Sequence, residues 1–136
     1  MYQNQMNYKV AWGDTDAAGI VFYPNFYNWM VNGTNELFDA IGYPASKLFA
    51  EEKIGLPLLE TFCSFKSPVF FEDNLQIVSI IKEIHDKVFK ISHQFFRNET
   101  LLAEGYELRA WTSFAADKPK AVSIPDQVRD ALGKRD

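Results

Sequence analysis

Cysteine is nearly absent. The 136-residue chain has one, Cys63, so no intrachain disulfide forms, and a reducing, cytoplasmic setting fits. Long apolar runs are missing too: no stretch approaches the roughly 18 residues of a membrane span, and the opening MYQNQMNY has neither the basic start nor the apolar run of a secretory leader. Positive charge is in deficit, with 14 Lys and Arg against 18 Asp and Glu and a net charge of -4. A basic footprint for nucleic acid or an anionic membrane is therefore not expected. A P-loop, a G-x-G-x-x-G turn and a Cys/His zinc pattern are all lacking, so neither a metal nor a separate cofactor is expected.

Aromatic residues are plentiful. They make up 15% of the chain and include 12 Phe, so large rigid side chains must line a core, a pocket or an interface. At this length, with 47% apolar residues, the expectation is one domain spanning 1–136.

Residues 6–12 (MNYKVAW) mix aromatic and β-branched side chains with polar ones and predict a first strand. A small-residue loop, Gly13 to Gly19, follows. Pro24 suits the first position of a helix, which the pattern carries to about Ile41, with Gly42 and Pro44 as stops. Its polar residues, Asn25, Asn28, Asn32, Asn35, Glu36 and Asp39, fall at spacings of three and four and form one narrow stripe. A helix apolar around the rest of its girth is expected to be largely buried. Gly33 at its middle costs about 1 kcal/mol relative to Ala and predicts close approach by a neighbouring element.

A short second helix is predicted over 45–52, then strands near 56–66, 74–84, 87–97 and 101–115, with turns at His85–Lys87 and Arg97–Thr100. Leu75, Ile77, Ser79 and Ile81 alternate with a more polar set, giving one strongly apolar strand face. A short helix over 125–132 closes the chain. One strand, a long helix and then consecutive strands predict an α+β fold, an antiparallel sheet with a helix against one face.

The segment that carries chemistry is Trp12-Gly13-Asp14-Thr15-Asp16-Ala17-Ala18-Gly19-Ile20-Val21-Phe22-Tyr23-Pro24-Asn25. Two carboxylates lie one residue apart in a glycine-bounded loop, and a helix begins a few residues later. A helix start offers unpaired N–H groups and a partial positive charge. A carboxylate nucleophile or base beside an oxyanion stabiliser is what acyl transfer needs. Other readings compete. Either Asp can simply cap loop amides. Asp14-Thr15-Asp16 opens like a calcium loop, but Ala18 and Asn25 stand where ligands are required. D-x-D after a strand also opens aspartate phosphatases, which need a parallel sheet this pattern does not provide.

The segment resembles the 4-hydroxybenzoyl-CoA thioesterase family, through Gly13, Asp14, Asp16, Ala18, Gly19, Ile20, Val21, Tyr23, Pro24 and Asn25, with Trp29 in the helix and Gly55, Pro57, Ser64 and Phe65 further on. The resemblance implies a hotdog fold, a long helix wrapped by a curved antiparallel sheet. It also implies a homo-oligomer, a dimer or a dimer of dimers (a homotetramer), with active sites at the subunit interface. It assigns attack on the thioester, or activation of water, to Asp16, and polarisation of the carbonyl to the Tyr23 backbone N–H. Asp14 is given to loop structure.

Coenzyme A enters only as part of an acyl-CoA substrate. The substrate-binding candidates are Gly19, Phe22, Val31, Leu56 and Lys87. Val31 and Leu56 stand where the resemblance leads one to expect an acidic and a polar residue facing a ring hydroxyl. Either a differently substituted aryl group or a small aliphatic acyl group follows. Of the basic cluster expected for the CoA phosphates, the turn keeps only Lys87, with Lys82, Lys90 and Arg97 as further candidates. Phe22, Phe26 and Trp29 suit an aryl group but are first expected in the core. Cys63 is expected as a small core residue, and neither His85 nor His93 falls at the start of the helix. A non-catalytic acyl-CoA-binding module on the same fold is the alternative.

Overall fold

The computed structural model describes residues 1–133; the last three residues of the expected domain lie outside the described residues. Strand β1 (Gln3–Lys9) leads through a single tight turn at Trp12–Asp14 into helix α1 (Pro24–Ala40) and a shorter helix α2 (Ala45–Glu52). Strands β2 (Ile54–Gly55), β3 (Leu58–Phe65), β4 (Asn74–Ile84), β5 (Val88–Arg97), β6 (Thr100–Ala110), β7 (Thr112–Ser113) and β8 (Lys120–Ala121) follow, then helix α3 (Asp126–Gly133).

Five strands form one antiparallel sheet in the order β1-β4-β5-β6-β3, and β2-β7-β8 form a small second sheet. Register shifts at Ile81/Glu83, Phe95/Phe96 and Leu58/Glu60 put an extra residue into one strand of a pair. Such bulges bend and twist a sheet, and here the sheet curves around α1.

The first strand is earlier than its composition suggests. It spans Gln3–Lys9, where Tyr8 pairs with Leu75 and Met6 with Ile77; Trp12 lies in the tight turn and is 77% exposed. Helix α1 is buried on one side only. Phe26, Trp29, Met30, Gly33, Thr34, Leu37 and Phe38 face the sheet, and the polar stripe stays exposed except for half-buried Asn25. The expectation of burial around most of its girth is corrected, because one sheet covers one face. The strand expected over 101–115 breaks at Trp111. There the chain turns between the two sheets, the Trp111 N–H donates to the Lys87 carbonyl (2.8 Å), and the ring is buried. The strand expected over 56–66 is β3, and a short extra strand ahead of it, β2, pairs with β7.

Buried rows of β4 (Leu75, Ile77, Ser79, Ile81) and β5 (Phe89, Ile91, His93, Phe95) lie beneath α1. They form two apolar clusters. Val21, Phe26, Trp29, Met30, Ile77 and Phe95 belong to the one under the start of α1. Leu37, Phe38, Ile81, Phe89, Ile91 and Trp111 belong to the one under its end. Between them runs a layer of buried polar side chains, Thr34, Ser79, His93 and Glu107. Gly33 lies over this layer. A Cβ added there would come within 2.5 Å of Ser79 Oγ and 3.0 Å of His93 Nδ1, which is the close approach the mid-helix glycine predicts. Cys63 is buried, as expected, and burial pushes its thiol up to about 11.

Candidate active site

The loop before α1 folds back on itself. Asp16 N–H donates to the Ile20 carbonyl (2.9 Å), Thr15 bridges Val21, and Phe22 N–H donates to the Asp14 carbonyl (2.9 Å). Gly19, at φ +81, makes the reversal, a left-handed conformation that glycine adopts without steric cost. The whole loop is tied down at Val21, whose N–H donates to the Val69 carbonyl (2.8 Å).

Within this frame the two carboxylates have different surroundings. Asp14 Oδ2 accepts from the Tyr8 hydroxyl (2.6 Å) and the Ala11 N–H (2.8 Å), and the Asp14 carbonyl accepts from Asn25 Nδ2 (2.8 Å). Asp14 therefore ties β1, the turn and α1 together. Its hydrogen bond, with partial burial and its negative charge, raises the Tyr8 phenol above the ordinary tyrosine range. Asp16 is exposed, and the Ala18 N–H donates to its Oδ1 (2.8 Å). Among the described residues nothing engages its other oxygen.

Tyr23 is the residue that opens α1, with helical φ and ψ ahead of Pro24. Proline has no N–H, and among the described residues no backbone carbonyl accepts from the Tyr23 N–H. An amide without a backbone acceptor thus remains at the positive end of the helix. Beside it lies a cleft of about 320 Å³ lined by Ile20, Val21, Tyr23, Phe26, Phe65 and Val69, with Lys66 at its rim. A larger groove of about 730 Å³ lies on the outer face of the sheet, among Phe62, Lys82, Lys90 and Tyr106, and holds none of the loop residues.

Asp16, Gly19, Phe22 and Tyr23 thus share one closed loop. Phe22 is 48% exposed rather than core, because its side of the loop has no sheet over it; Phe26 and Trp29 are core as expected. Val31 is half-buried on α1, about 12 Å along the helix axis from Tyr23 at 1.5 Å per residue. Leu56 packs against the apolar cluster under the end of α1, and Lys87 is exposed in the β4–β5 turn, both at the far end of the sheet. A single chain does not bring Leu56 or Lys87 to Asp16. Glu36 is solvated, His85 is exposed beside Glu83 (3.0 Å), and His93 is buried under the middle of α1. The sequence reading did not single out Arg109, whose guanidinium grips Glu107 and the Leu56 carbonyl. Its signal lies in the alternation of β6, which sets Glu107 and Arg109 on the face toward α1.

A long helix wrapped by a curved antiparallel sheet is the hotdog fold, shared with solved acyl-CoA thioesterases. The family model of the thioesterase-like superfamily matches residues 10–132, and the chain belongs to that superfamily. It is similar to the 1,4-dihydroxy-2-naphthoyl-CoA hydrolase of Prochlorococcus marinus subsp. pastoris, at 29% identity over 88% of this chain and 82% of that one. It is also similar to the 4-hydroxybenzoyl-CoA thioesterase of Pseudomonas sp. strain CBS-3, at 27% identity over 88% of this chain and 90% of the relative. Among solved structures, a gentisyl-coenzyme A thioesterase superposes with a TM-score of 0.83 at 39% identity, covering 96% of this chain and 100% of the other. A variant of 4-hydroxybenzoyl-CoA thioesterase complexed with 4-hydroxybenzoyl-CoA superposes with a TM-score of 0.90 at 25% identity, covering 96% and 99%. The chain is a thioester hydrolase. Among the described residues no helix is long and apolar enough to cross a membrane, and no cluster of three or more His, Cys, Asp or Glu is arranged to hold a metal ion.

Proposed function

We propose that this protein is a cytoplasmic hydrolase of an aryl-CoA or small acyl-CoA thioester, releasing free acid and CoA, with Asp16 as nucleophile or general base and the Tyr23 N–H as oxyanion donor. One observation carries the reading: an exposed carboxylate with a free oxygen shares a closed loop with an open helix-start amide, beside an apolar cleft. The amide draws charge onto the thioester oxygen as the carbonyl carbon becomes tetrahedral. Asp16 then acts in one of two ways. It attacks the carbon itself, the C–S bond breaks, CoA leaves as its thiolate, and water opens the mixed anhydride. Alternatively it takes a proton from a water that attacks. Either route consumes one water and yields one acid and one thiol. Coenzyme A is a part of the substrate, and no further cofactor is required.

The acyl group is bounded by a second subunit in this reading. β3 is an edge strand, and Leu58, Leu59, Phe62 and Phe65 along it are exposed, a surface that natural proteins rarely leave uncovered. Antiparallel pairing of two β3 strands along their length sets Leu58 of one copy opposite Phe65 of the other. Phe65 already packs edge-on against Tyr23 (6.4 Å) and Phe26 (5.1 Å). On this pairing we assign the Leu56–Leu58 segment of one copy to the wall of its partner's acyl cleft, with Val31 further along α1, and the Lys87 turn to the CoA phosphates. The dimer, or a dimer of dimers, is thus the working unit. Leu56 and Val31 bring no hydrogen-bonding side chain to the acyl group, which favours a ring without a hydroxyl at that point, or an aliphatic acyl.

The test is free-thiol release from hydroxylated benzoyl, phenylacetyl, short-chain and medium-chain CoA thioesters, with wild type and Asp16→Asn side by side. One class turned over rapidly by wild type, and at least a hundredfold more slowly by the variant, supports the reading and names the substrate. Saturable binding of an acyl-CoA with no turnover by wild type favours the non-catalytic binding module instead.

A further inference from the structure

The polar layer inside the core is a connected chain of hydrogen bonds with one loose end. Ser79 Oγ lies 2.7 Å from His93 Nδ1, and His93 Nε2 lies 3.2 Å from Thr34 Oγ1 and 3.5 Å from Glu107 Oε1. The Thr34 hydroxyl donates to Glu107 Oε1. Arg109 donates from Nε to Glu107 Oε1 (3.0 Å) and from Nη2 to Oε2 (2.9 Å). With His93 assigned the Nε2–H tautomer, the donors and acceptors match from Ser79 through to Glu107. The chain leaves the core at one point, where Arg109 Nη1 donates to the Leu56 carbonyl.

That carbonyl belongs to neither sheet. Leu56 and Pro57 form the irregular link between β2 and β3, and apart from the flanking strand pairs the segment is held by the Ala110 N–H to the Pro57 carbonyl (3.1 Å) and by Arg109. An ion pair is not needed here for stability, since well-packed apolar residues of similar volume often serve as well or better. A planar guanidinium held in a fork by a carboxylate is, by contrast, a rigid pointer, with two donors fixing its plane and a third aimed at one oxygen. Glu107 is itself fixed from α1 by Thr34 and beside β5 by His93, so the pointer is referenced to both the helix and the sheet.

We infer that Arg109 is a positioning residue: clamped by Glu107, it sets the place of the Leu56 segment and through it the acyl-group selectivity of the partner's active site. The inference rests on the proposed two-subunit site. It explains why a chain with few buried charges places Glu107, 1% exposed, and Arg109, 11% exposed, behind this particular link.

The experiment compares wild type with Arg109→Lys and Arg109→Met. Lysine keeps a positive charge beside Glu107 but is a single point charge and cannot grip a carboxylate in a fork while reaching a carbonyl. The first readout is the ratio of kcat/KM for the best acyl-CoA to that for acetyl-CoA. A displacement of about 1 Å at a positioning contact costs on the order of a hundredfold. Arg109→Lys is expected to reduce the ratio at least tenfold, mainly through a higher KM for the larger acyl group. Arg109→Met, if it folds, should reduce it as far. A merely structural role would lower all substrates by one factor and leave the ratio and KM unchanged, which overturns the inference. The second readout is amide hydrogen exchange. Faster exchange confined to 54–58, with Ile91 and Phe95 still protected, is expected in Arg109→Lys; unchanged exchange there also overturns it. If wild type hydrolyses no acyl-CoA, it is the catalytic reading that fails, and the exchange result alone decides whether Arg109 holds the segment.

Discussion

The two carboxylates that matter most in this molecule have opposite surroundings. Asp16 is exposed on a loop, with one oxygen held by an amide and the other without a partner among the described residues. Glu107 is buried at the centre of the core, with both oxygens engaged by Arg109 and one also by Thr34. Almost nothing in the fold depends on the first, which leaves it available for the role proposed for it. The second cannot react because the fold uses it completely. Asp14, held by three hydrogen bonds in the loop before α1, lies between these extremes: it ties the frame of the loop together.

The sharpest way to break the contrast is to remove the buried member. Glu107→Ala leaves the Arg109 charge and the Thr34 and His93 donors without their acceptor, and should cost about 3–5 kcal/mol of unfolding free energy, read from denaturant midpoints at pH 7.

Acid should weaken the same pair without mutation. Burial by itself would raise the Glu107 carboxyl. Hydrogen bonds from His93, Arg109 and Thr34, with the Arg109 charge, more than offset that and lower it to about 2 from 4.5. A folded-state value below the unfolded one means stability that is fully present above about pH 4.5 and is lost as pH falls toward 2. The loss integrates to about 3 kcal/mol, and Glu107→Gln should remove that part of the acid slope.

Gly33→Ala sets two small effects against each other. Alanine favours the helix by about 1 kcal/mol, but its methyl meets Ser79 and His93. Overpacking of this kind costs about 1–3 kcal/mol, so the variant should be net destabilised, with a lower Tm. Tyr8→Phe removes one hydroxyl from Asp14 and should cost about 1 kcal/mol, a shift of a few degrees in Tm.

The sequence exposes these two regions unequally. The loop before α1 is contiguous: glycines, carboxylates and Pro24 lie within a dozen residues, and local chemistry is enough to locate a turn, a helix start and an exposed carboxylate beside it. The long helix, the β4 and β5 strands and their turns are equally local, since periodicity and turn residues define them. The polar layer joins Thr34, Ser79, His93 and Glu107 from four elements, so no spacing announces it. Only the interruption of apolar rows by Ser79 and His93 hints that something polar lies beneath the helix. The break at Trp111 and the two short strands β2 and β8 are also decided by packing, because Trp111 fills the second cluster and draws the chain aside. The first strand begins at Gln3 rather than residue 6 because pairing with β4, and not apolar composition, selects its residues.

The central claim is that Asp16 serves chemistry and not the fold. The direct measurement is kcat/KM and Tm on the same preparation of Asp16→Asn beside wild type, with the best acyl-CoA of the panel. The account predicts a loss of at least a hundredfold in kcat/KM, about 2.7 kcal/mol or more in the transition state, with Tm essentially unchanged. Retained turnover, or a loss of activity matched by a large fall in Tm, would contradict it.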